Sequence, residues 1–398
     1  MLSLCSLPGA SAKELTFGMS AAFSGPTRGL GVEYYRGIMA YFAMVNAQGG
    51  VKGNTFAIKA YDDGYNPGPC VENTIRLVEQ DDVFALLNYV GTPTTTRMLP
   101  LLKKFEDRHI YLLFPFTGAE PLRNQPYGRF VYNLRTSYFD ETRGLVDHLV
   151  GVGRKRVAVF YQADAYGRNG WDGVRRALAE NGLEMVGEAA YKRGSSWTDD
   201  YSEAVGIIQA AKPDAVIMIG SYAASAGFVR DARNLGLDVP LASISFSDAD
   251  NILRLLSAEQ ARTGNDYTCC LLFSQVVPSY EDVTLSGVRL YRQAMEAGPP
   301  MPPAELMNET YEPRKYGVVS FEGFLNGMVL VEMVRRMGDN PERNRIPEIM
   351  SSMRDFSLGL DERVDFLPGS NQGMHSVYYT IILNDRLVPL RDWQRWRK

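Results

Sequence analysis

A regular alternation of apolar and amphipathic segments, running from Glu14 to about Leu256, dominates this sequence. Short apolar runs predict strands, and apolar residues spaced three and four apart, as at Tyr35, Ile38 and Phe42, predict helices. Near-continuous apolar strands that alternate with helices are typical of parallel sheets covered by helices on both faces. The pattern therefore predicts an α/β chain with doubly wound, Rossmann-like sheets.

A break near Arg135 separates two runs of the alternation, which predicts two lobes. We expect strands at 15–20, 56–61, 83–90 and 110–116 in the first run, and at 156–161, 185–191, 215–220 and 241–246 in the second. After the second run we expect a strand at 271–277, a proline-rich loop at 298–314, a helix at 318–337 and a hairpin at 377–390. The adjacent Cys269 and Cys270 are interpreted as two small strand residues, because a disulfide between neighbours is strained.

The charge balance argues against nucleic-acid and membrane-surface partners. The 398 residues include 42 Lys and Arg against 46 Asp and Glu, which gives a formal net charge of −4. Such a chain has no excess of positive charge for phosphate backbones or anionic lipids. Four cysteines are too few for a disulfide-dense scaffold of this length.

Motifs that would indicate an enzyme are missing from the sequence. No Gly-Lys pair occurs, so a P-loop is excluded, and neither a G-x-S-x-G elbow nor an H-E-x-x-H helix is present. His109, His148 and His375 are the three histidines, and no Cys/His pair has the spacing of a metal site. We therefore expect a non-enzymatic protein with no cofactor and no metal.

The first twelve residues suggest export. Residues 1–9 are mildly apolar, and Ala10-Ser11-Ala12 matches a signal-peptidase site. We interpret 1–12 as a signal remnant or a flexible N-terminus. Leu4-Cys5 is a poor lipoprotein site, because the residue before the cysteine should be small, and lipid anchoring is left open.

Several motifs, taken in order, resemble one family. They are 17–26, ending in Ser24-Gly25-Pro26; 45–51; 61–67; 91–95; 115–123; Ala165-Tyr166-Gly167; and 233–237. This series, covering about Lys13 to Leu390, resembles the type I periplasmic solute-binding proteins of ABC transporters, in particular the Leu/Ile/Val-binding group.

The resemblance implies a Venus-flytrap architecture. Two Rossmann-like lobes would be joined by three hinge crossings, expected near Arg135, Val277 and Leu358. Lobe 1 would comprise 13–134 and 278–358, and lobe 2 would comprise 135–277 and 359–398. Such a protein is a periplasmic monomer that binds a small molecule between its lobes and delivers it to an inner-membrane ABC permease or another transporter.

Hydroxyl-bearing residues follow two strands of lobe 1. Thr92, Thr94 and Thr95 begin the helix after the strand at 83–90, with Thr92 as its expected N-cap. Thr117 and Gly118 follow the next strand. Open α/β sheets bind ligands at the carboxyl ends of their strands, and a helix N-terminus with hydroxyls suits a carboxylate or another acceptor. The alternative is that these threonines only cap their helices.

Aromatic residues are the second group of candidates. Tyr166 and Tyr222 align with family positions that close over the ligand. Phe23, Phe116 and Phe246 lie at or near strand ends, as does Tyr65, and these four would either form an apolar wall of the cleft or belong to the core.

One departure from the family bears on the ligand. Amino-acid binders of this group hold the ligand ammonium with an acidic residue after the strand corresponding to 241–246. Here Ser245 or Phe246 takes that place, and Asp248 lies slightly beyond. A buried ammonium without a carboxylate is costly. We therefore expect an aromatic carboxylate, a small amide, or a bulky hydrophobic molecule such as a sterol or lipid.

Two further alternatives stay open. One is a branched-chain amino acid ligand, and the other is a sensory or regulatory ligand-binding module with the same fold. The family disulfide of lobe 1 also lacks its cysteines, and Tyr65 and Gly91 stand in their places.

Overall fold

A computed structural model describes residues 13–398. The predicted signal remnant, residues 1–12, lies outside the described residues. The helices and strands form two lobes, each built around one sheet. Among the described residues, no helix combines the length and the apolar character that crossing a membrane requires.

The first lobe is built on a fully parallel five-stranded sheet in the order β2-β1-β3-β4-β5. Its strands are β1 Lys13–Ala21, β2 Asn54–Asp62, β3 Leu86–Leu87, β4 Leu112–Leu113 and β5 Val131–Tyr132. Three helices connect the first four strands: α1 Arg28–Ala47, α2 Pro67–Glu79 and α3 Thr92–Lys104. Each strand–helix connection lies at the carboxyl end of a strand, so these connections gather at one edge of the sheet.

The second lobe contains a seven-stranded sheet in the order β14-β13-β10-β9-β8-β6-β7. Strands β6 to β10 are parallel and alternate with helices. In chain order the elements are α4 Tyr138–Gly151, β6 Val157–Gln162, α5 Ala165–Glu180, β7 Gly187–Tyr191, α6 Ser202–Ala210, β8 Ala215–Ile219, α7 Tyr222–Asn234, β9 Leu241–Ser243, α8 Ala249–Thr263 and β10 Leu271–Gln275. Strands β6, β8, β9 and β10 are fully buried, as their apolar sequences predict, whereas β7 at the edge of the sheet is partly exposed.

The rest of the chain completes both lobes. It forms α9 Ser286–Glu296, α10 Val318–Met337, α11 Ile346–Ser352, β11 Phe356–Ser357, β12 Arg363–Val364, β13 Tyr378–Leu383 and β14 Arg386–Pro389. Helices α9 and α10 pack on α1 in the first lobe. β11 and β12 pair as a short ribbon, and the hairpin of β13 and β14 adds antiparallel strands to the second sheet. The predicted fold class is confirmed.

Several predicted strands are shorter in the structure. β3 and β4 each keep two residues of the longer segments expected at 83–90 and 110–116. Asn88 and Phe114 follow these pairs with φ angles of 55° and 51°, a left-handed backbone that interrupts a strand ladder. The strand expected at 241–246 ends at Ser243, because Ser245–Ser247 form a 3-10 turn. β5, α8, β11 and β12 were not predicted.

Two connections between the lobes run side by side. The Asn133 N–H donates to the Asn371 carbonyl at 2.7 Å, and the N–H of Met374 donates to Leu134 at 2.9 Å. Residues 133–134 follow β5, and residues 371–374 precede β13. This pairing ties two of the chain's passages between the sheets together.

Candidate functional site

The carboxyl ends of the parallel strands in the two sheets face each other, and the lobes touch across the space between them. Helix α3 of the first lobe contacts α5 of the second. Gln162 at the end of β6 donates from Nε2 to the Tyr65 hydroxyl at 3.3 Å. Both side chains are buried, so the conformation is a closed one.

Two threonines from neighbouring connections meet in this cleft. Thr92 Oγ1 and Thr117 Oγ1 lie 2.7 Å apart, and Thr92 Oγ1 is 3.5 Å from the hydroxyl of Tyr138 at the start of α4. All three residues are fully buried. Burial raises the pKa of Tyr138, which keeps its hydroxyl protonated at physiological pH. The three hydroxyls offer both donors and acceptors to a small polar group.

The start of α3 differs from the prediction in one respect. Gly91, not Thr92, is the N-cap, and Thr92 is the first helical residue. The reason is the φ of 101° at the turn, which a side chain rarely permits. Thr94 donates its hydroxyl to the carbonyls of Val90 and Gly91 at 2.6 and 2.9 Å, so that hydroxyl serves the helix turn. Thr95 Oγ1 is buried without a hydrogen-bond partner in the described part of the chain.

Tyr65 and Gly91, the positions where the family disulfide is missing, are in direct contact. A Cβ added to Gly91 would lie 2.2 Å from Cε2 of Tyr65. The tyrosine ring therefore needs a glycine at position 91. Where a disulfide would hold two segments of one lobe together, this chain has a ring that reaches the opposite lobe.

Five rings from both lobes form a group that we call the aromatic cluster. Phe246 is at its centre, 4.5 Å from Tyr166, 5.3 Å from Phe116, 6.1 Å from Tyr65 and 6.5 Å from Tyr138 between ring centroids. Tyr138 and Tyr166 are 5.5 Å apart. These spacings are those of packed aromatic pairs. The cluster fills this part of the closed cleft with apolar surface and three hydroxyl groups.

Phe23, Gly118 and Tyr222 are the remaining candidates. Phe23 packs against Tyr35 within the first lobe, with centroids 6.1 Å apart. Gly118 accepts a hydrogen bond from the Tyr138 N–H at 2.8 Å, and its Cα faces the Tyr138 ring. The hydroxyl of Tyr222 accepts from the Gly29 N–H at 3.2 Å and so joins α7 to the start of α1.

Sequence reasoning missed a buried ionic group beneath the aromatic cluster. The Arg135 guanidinium stacks 4.5 Å from the Phe116 ring centroid. Its Nε is 3.6 Å from Glu322 of α10, and one terminal nitrogen is 3.9 Å from Glu141 of α4 and donates to the Ser245 hydroxyl. Burial raises the pKa of Glu322 to about 7. No local signal finds this group, because its members come from three distant segments.

Asp248 is a buried carboxylate close to the cleft mouth. It accepts from the Asn251 N–H at 3.2 Å and from Asn251 Nδ2 at 2.5 Å, and it caps α8. No ion pair to Asp248 occurs within residues 13–398. Burial and the neighbouring Asp250 raise its pKa to about 7.

A cavity of about 250 Å³ lies at the outer end of the interface between the lobes. We call it the vestibule. Its walls include Arg28 and Tyr311 from the first-lobe side and Trp197, Tyr222 and Arg254 from the second lobe. Arg28 is paired with Glu309 at 2.8 Å. Among the described residues, no group of three or more His, Cys, Asp or Glu side chains is arranged to hold a metal.

Comparisons with known proteins agree with this architecture. The chain matches the family model described as periplasmic binding protein over residues 14–385. An amino acid binding protein of Pseudomonas aeruginosa is 27% identical over 228 residues, which span 56% of this chain and 58% of that protein. The Leu/Ile/Val-binding protein of Citrobacter freundii is 26% identical over 257 residues, 61% of this chain and 67% of the relative.

A solved structure extends the likeness to the whole fold. The crystal structure of a possible leucine/isoleucine/valine-binding protein from Rhodopirellula baltica superposes with a TM-score of 0.84 at 29% identity. That superposition covers 99% of this chain and all of the other. The sequence match to the Pseudomonas aeruginosa relative covers less than two thirds of that protein.

Proposed function

Because this chain belongs to the periplasmic binding protein family, we propose that it captures a small solute with an apolar or aromatic body and delivers it to a transporter in the inner membrane. The aromatic cluster supports this proposal most directly. Phe246 contributes a ring where an ammonium-binding acid would be expected, and four further rings surround it. A ligand pocket with aromatic walls and a few polar groups suits such a solute.

The hydroxyls of Thr92, Thr117 and Tyr138 are proposed to hold the polar end of the solute. Tyr138 belongs to the cluster and the two threonines lie beside it, and all three hydroxyls are buried, so a carboxylate or amide oxygen could accept hydrogen bonds from them. Thr95, Gly118, Tyr166 and Phe116 are proposed neighbours of the solute in the same space. Tyr222 is proposed to act at the vestibule, where a solute would enter.

Closure of a hinge is the proposed mechanism of capture. Contacts of the solute with both lobes favour the closed state, which a permease then recognises. We place the crossings near Arg135, near Val277 and downstream of Leu358. The third placement rests on the contact of Gly359 with α9 of the first lobe, where its carbonyl accepts from the Gly287 N–H at 2.9 Å. The proposed acting form is a monomer.

A thermal-shift panel tests the solute class. Benzoate, phenylacetate, benzamide, leucine and a soluble sterol sulfate are added to the purified protein. Binding to the folded state alone raises the unfolding midpoint. We expect the aromatic acids to raise it and leucine to leave it unchanged. A shift with leucine alone would contradict the proposal.

A matched pair of variants tests the aromatic cluster. Phe246→Leu removes the central ring of the cluster, whereas Phe84→Leu removes a ring that packs on Phe17 in the core of the first lobe. Both changes are expected to lower the midpoint of the free protein by removing buried aromatic surface. Only Phe246→Leu should reduce the shift caused by the aromatic acid. An equal reduction in both variants would show that the cluster is not part of the binding site.

A branched-chain amino acid is the second candidate, and Asp248 is the observation that favours it. The carboxylate is buried and without an ion pair in the described chain, so the ammonium of an amino acid would supply the missing positive partner. The Citrobacter freundii relative is named a Leu/Ile/Val-binding protein, and the Pseudomonas aeruginosa relative is named an amino acid binding protein. In this case Asp248→Asn abolishes a leucine-induced shift. If Asp248→Asn leaves a leucine-induced shift intact, the ammonium lies elsewhere.

A further inference from the structure

The adjacent residues Cys269 and Cys270 bring their two sulfur atoms together. Sγ of Cys269 lies 3.0 Å from Sγ of Cys270. Cys269 is exposed and Cys270 is half-buried, so the pair is open to reagents in solution. The third described cysteine, Cys70, is buried in the first lobe.

The backbone explains why both side chains point the same way. In a strand, successive side chains alternate between the two faces, which would separate neighbouring sulfurs. Here the strand begins only at Leu271, and Cys270 has a φ of 62° in the left-handed region. The interpretation of the two cysteines as strand residues is therefore wrong. The turn before β10 places the sulfurs side by side.

Hydrogen bonds hold this turn on both sides of the pair. Asp266 Oδ1 accepts from the Thr268 N–H at 2.9 Å and the Cys269 N–H at 3.0 Å. The Cys269 carbonyl accepts from Arg233 at 3.0 Å, and the Cys270 carbonyl accepts from the Leu241 N–H at 3.0 Å. The close approach of the sulfurs thus belongs to a turn that is anchored to α7 and β9.

We propose that Cys269 and Cys270 form a reversible disulfide with each other, which makes this turn a site of oxidative modification. A disulfide bond is about 2.05 Å long, so the sulfurs need to approach by roughly 1 Å. The proposal does not depend on which solute the cleft binds.

The reaction is thiol–disulfide exchange with a small-molecule or protein disulfide as oxidant. The thiolate of the exposed Cys269 attacks the oxidant, forms a mixed disulfide, and releases one thiol. The Cys270 thiolate then attacks Sγ of Cys269 and releases the second thiol. Two thiol protons leave the protein, two electrons pass to the oxidant, and one S–S bond forms in the turn.

The bond is expected to be strained and easily reduced. Consecutive Cα atoms across a trans peptide are 3.8 Å apart, below the usual range of about 4.4–6.8 Å for a disulfide. Strained, exposed disulfides exchange with thiols more readily than structural ones. The link also closes no loop of other residues, so it should add little stability.

Oxidation is expected to be faster in alkaline solution. The hydrogen bond with Cys270 and partial burial raise the pKa of the Cys269 thiol to about 11. Only the thiolate attacks, so the rate should rise by about tenfold per pH unit between pH 7 and 9.

Peptide mapping of the full-length protein tests the proposal. Trypsin releases residues 263–289 as one peptide that contains Cys269 and Cys270 and no other cysteine. The protein is incubated with oxidised glutathione, unfolded, alkylated with N-ethylmaleimide and digested. We expect this peptide to be about 2 Da lighter than its reduced form and to carry no alkyl group. Treatment with dithiothreitol after oxidation and before alkylation should restore both cysteines as alkylation sites.

Other products would overturn the proposal. Two alkyl groups or two glutathione adducts after oxidation would show that the neighbours do not close a bond, and so would a cross-link through this peptide to a second chain. Cys270→Ser supplies a second measurement, because its Cys269 should accumulate a single stable glutathione adduct. If the wild-type protein accumulates the same stable adduct, Cys270 does not attack it. Buried Cys70 serves as the internal control, because it is shielded from the oxidant in the folded protein and should be alkylated in every sample after unfolding.

Discussion

The hydroxyls of Thr92 and Thr117 meet in the cleft although they belong to different strand–helix connections. Each is fully buried, and their separation is 2.7 Å. A buried hydroxyl without a partner costs free energy, while a pair removed together costs little. The contributions of the two residues to the free energy of unfolding are therefore expected to be coupled.

Replacing these threonines by valine tests that coupling. Thr92→Val and Thr117→Val each remove the hydrogen bond between the two hydroxyls, and Thr117→Val also removes the acceptor of the Ala119 N–H at 3.3 Å. Each should lower the free energy of unfolding by about 1–3 kcal/mol. The double variant should lose less than the sum, by about 1 kcal/mol. Urea unfolding of the four proteins measures the difference. Additive losses would mean that the two hydroxyls do not interact.

The same variants report on the solute. If the hydroxyls hold its polar end, the double variant should bind an aromatic acid identified in the panel at least about tenfold more weakly. Isothermal titration measures this affinity. Unchanged affinity in a well-folded double variant would show that neither threonine binds the solute.

At the scale of elements, the first turn of α1 makes a close contact between the lobes on one side of the cleft. A Cβ added to Gly29 would lie 2.7 Å from Asn251 Nδ2 and 3.2 Å from the Tyr222 hydroxyl. Both neighbours belong to the second lobe, whereas α1 belongs to the first. A side chain at position 29 would therefore press on the second lobe, and also on Tyr311 of the first-lobe side, whose Cε2 would lie 3.3 Å from the added Cβ.

Gly29→Ala is predicted to hinder closure. Alanine is the better helix former by about 1 kcal/mol, so the first lobe should not be destabilised. Solute affinity should fall by about tenfold or more, and small-angle scattering should report a more open shape with solute present. Gly206→Ala in α6, where a Cβ would meet nothing within 4 Å, is the matched control. Equal affinities in the two variants would contradict this account of closure.

At the scale of the whole molecule, three buried carboxyls share a raised pKa. Asp63, Asp248 and Glu322 lie in different parts of the structure, and burial raises the pKa of each to about 7. The native state therefore holds protons that the unfolded chain releases near pH 4. Their contribution to stability is complete below that pH and is lost as the pH rises through 7.

Glu322→Gln isolates one of these groups. Glutamine does not titrate, so the variant should lose less stability than the wild-type protein between pH 5 and pH 8. The difference in slope should be about 1 kcal/mol per pH unit between pH 5 and 6 and should decline as the pH rises through 7. Urea unfolding at several pH values measures it. Because both proteins contain His148, whose pKa burial lowers, the comparison cancels that group. Parallel pH profiles would contradict the raised pKa of Glu322.

Local patterns in the sequence carry the strand–helix order, the fold class and the edge of the sheets where the candidate site lies. Apolar periodicity reports which face of an element is buried, and parallel strands leave few ways to connect them. For the same reason the long helix at Val318–Met337 and the closing hairpin were predicted at nearly their observed positions. Strand ends were predicted less well, since one left-handed residue, such as Asn88, ends a ladder without changing the apolar pattern.

The remaining features of the candidate site depend on contacts in the tertiary structure. The aromatic cluster joins Phe246 to Tyr65 and Phe116 across the cleft, and Arg135 lies between carboxylates of α4 and α10. The side-by-side sulfurs of Cys269 and Cys270 depend on one backbone angle. Contacts between distant segments, and turns held by such contacts, leave no periodic trace along the chain. Their geometry arises only when both lobes pack, because burial and hydrogen bonding act on neighbours in space.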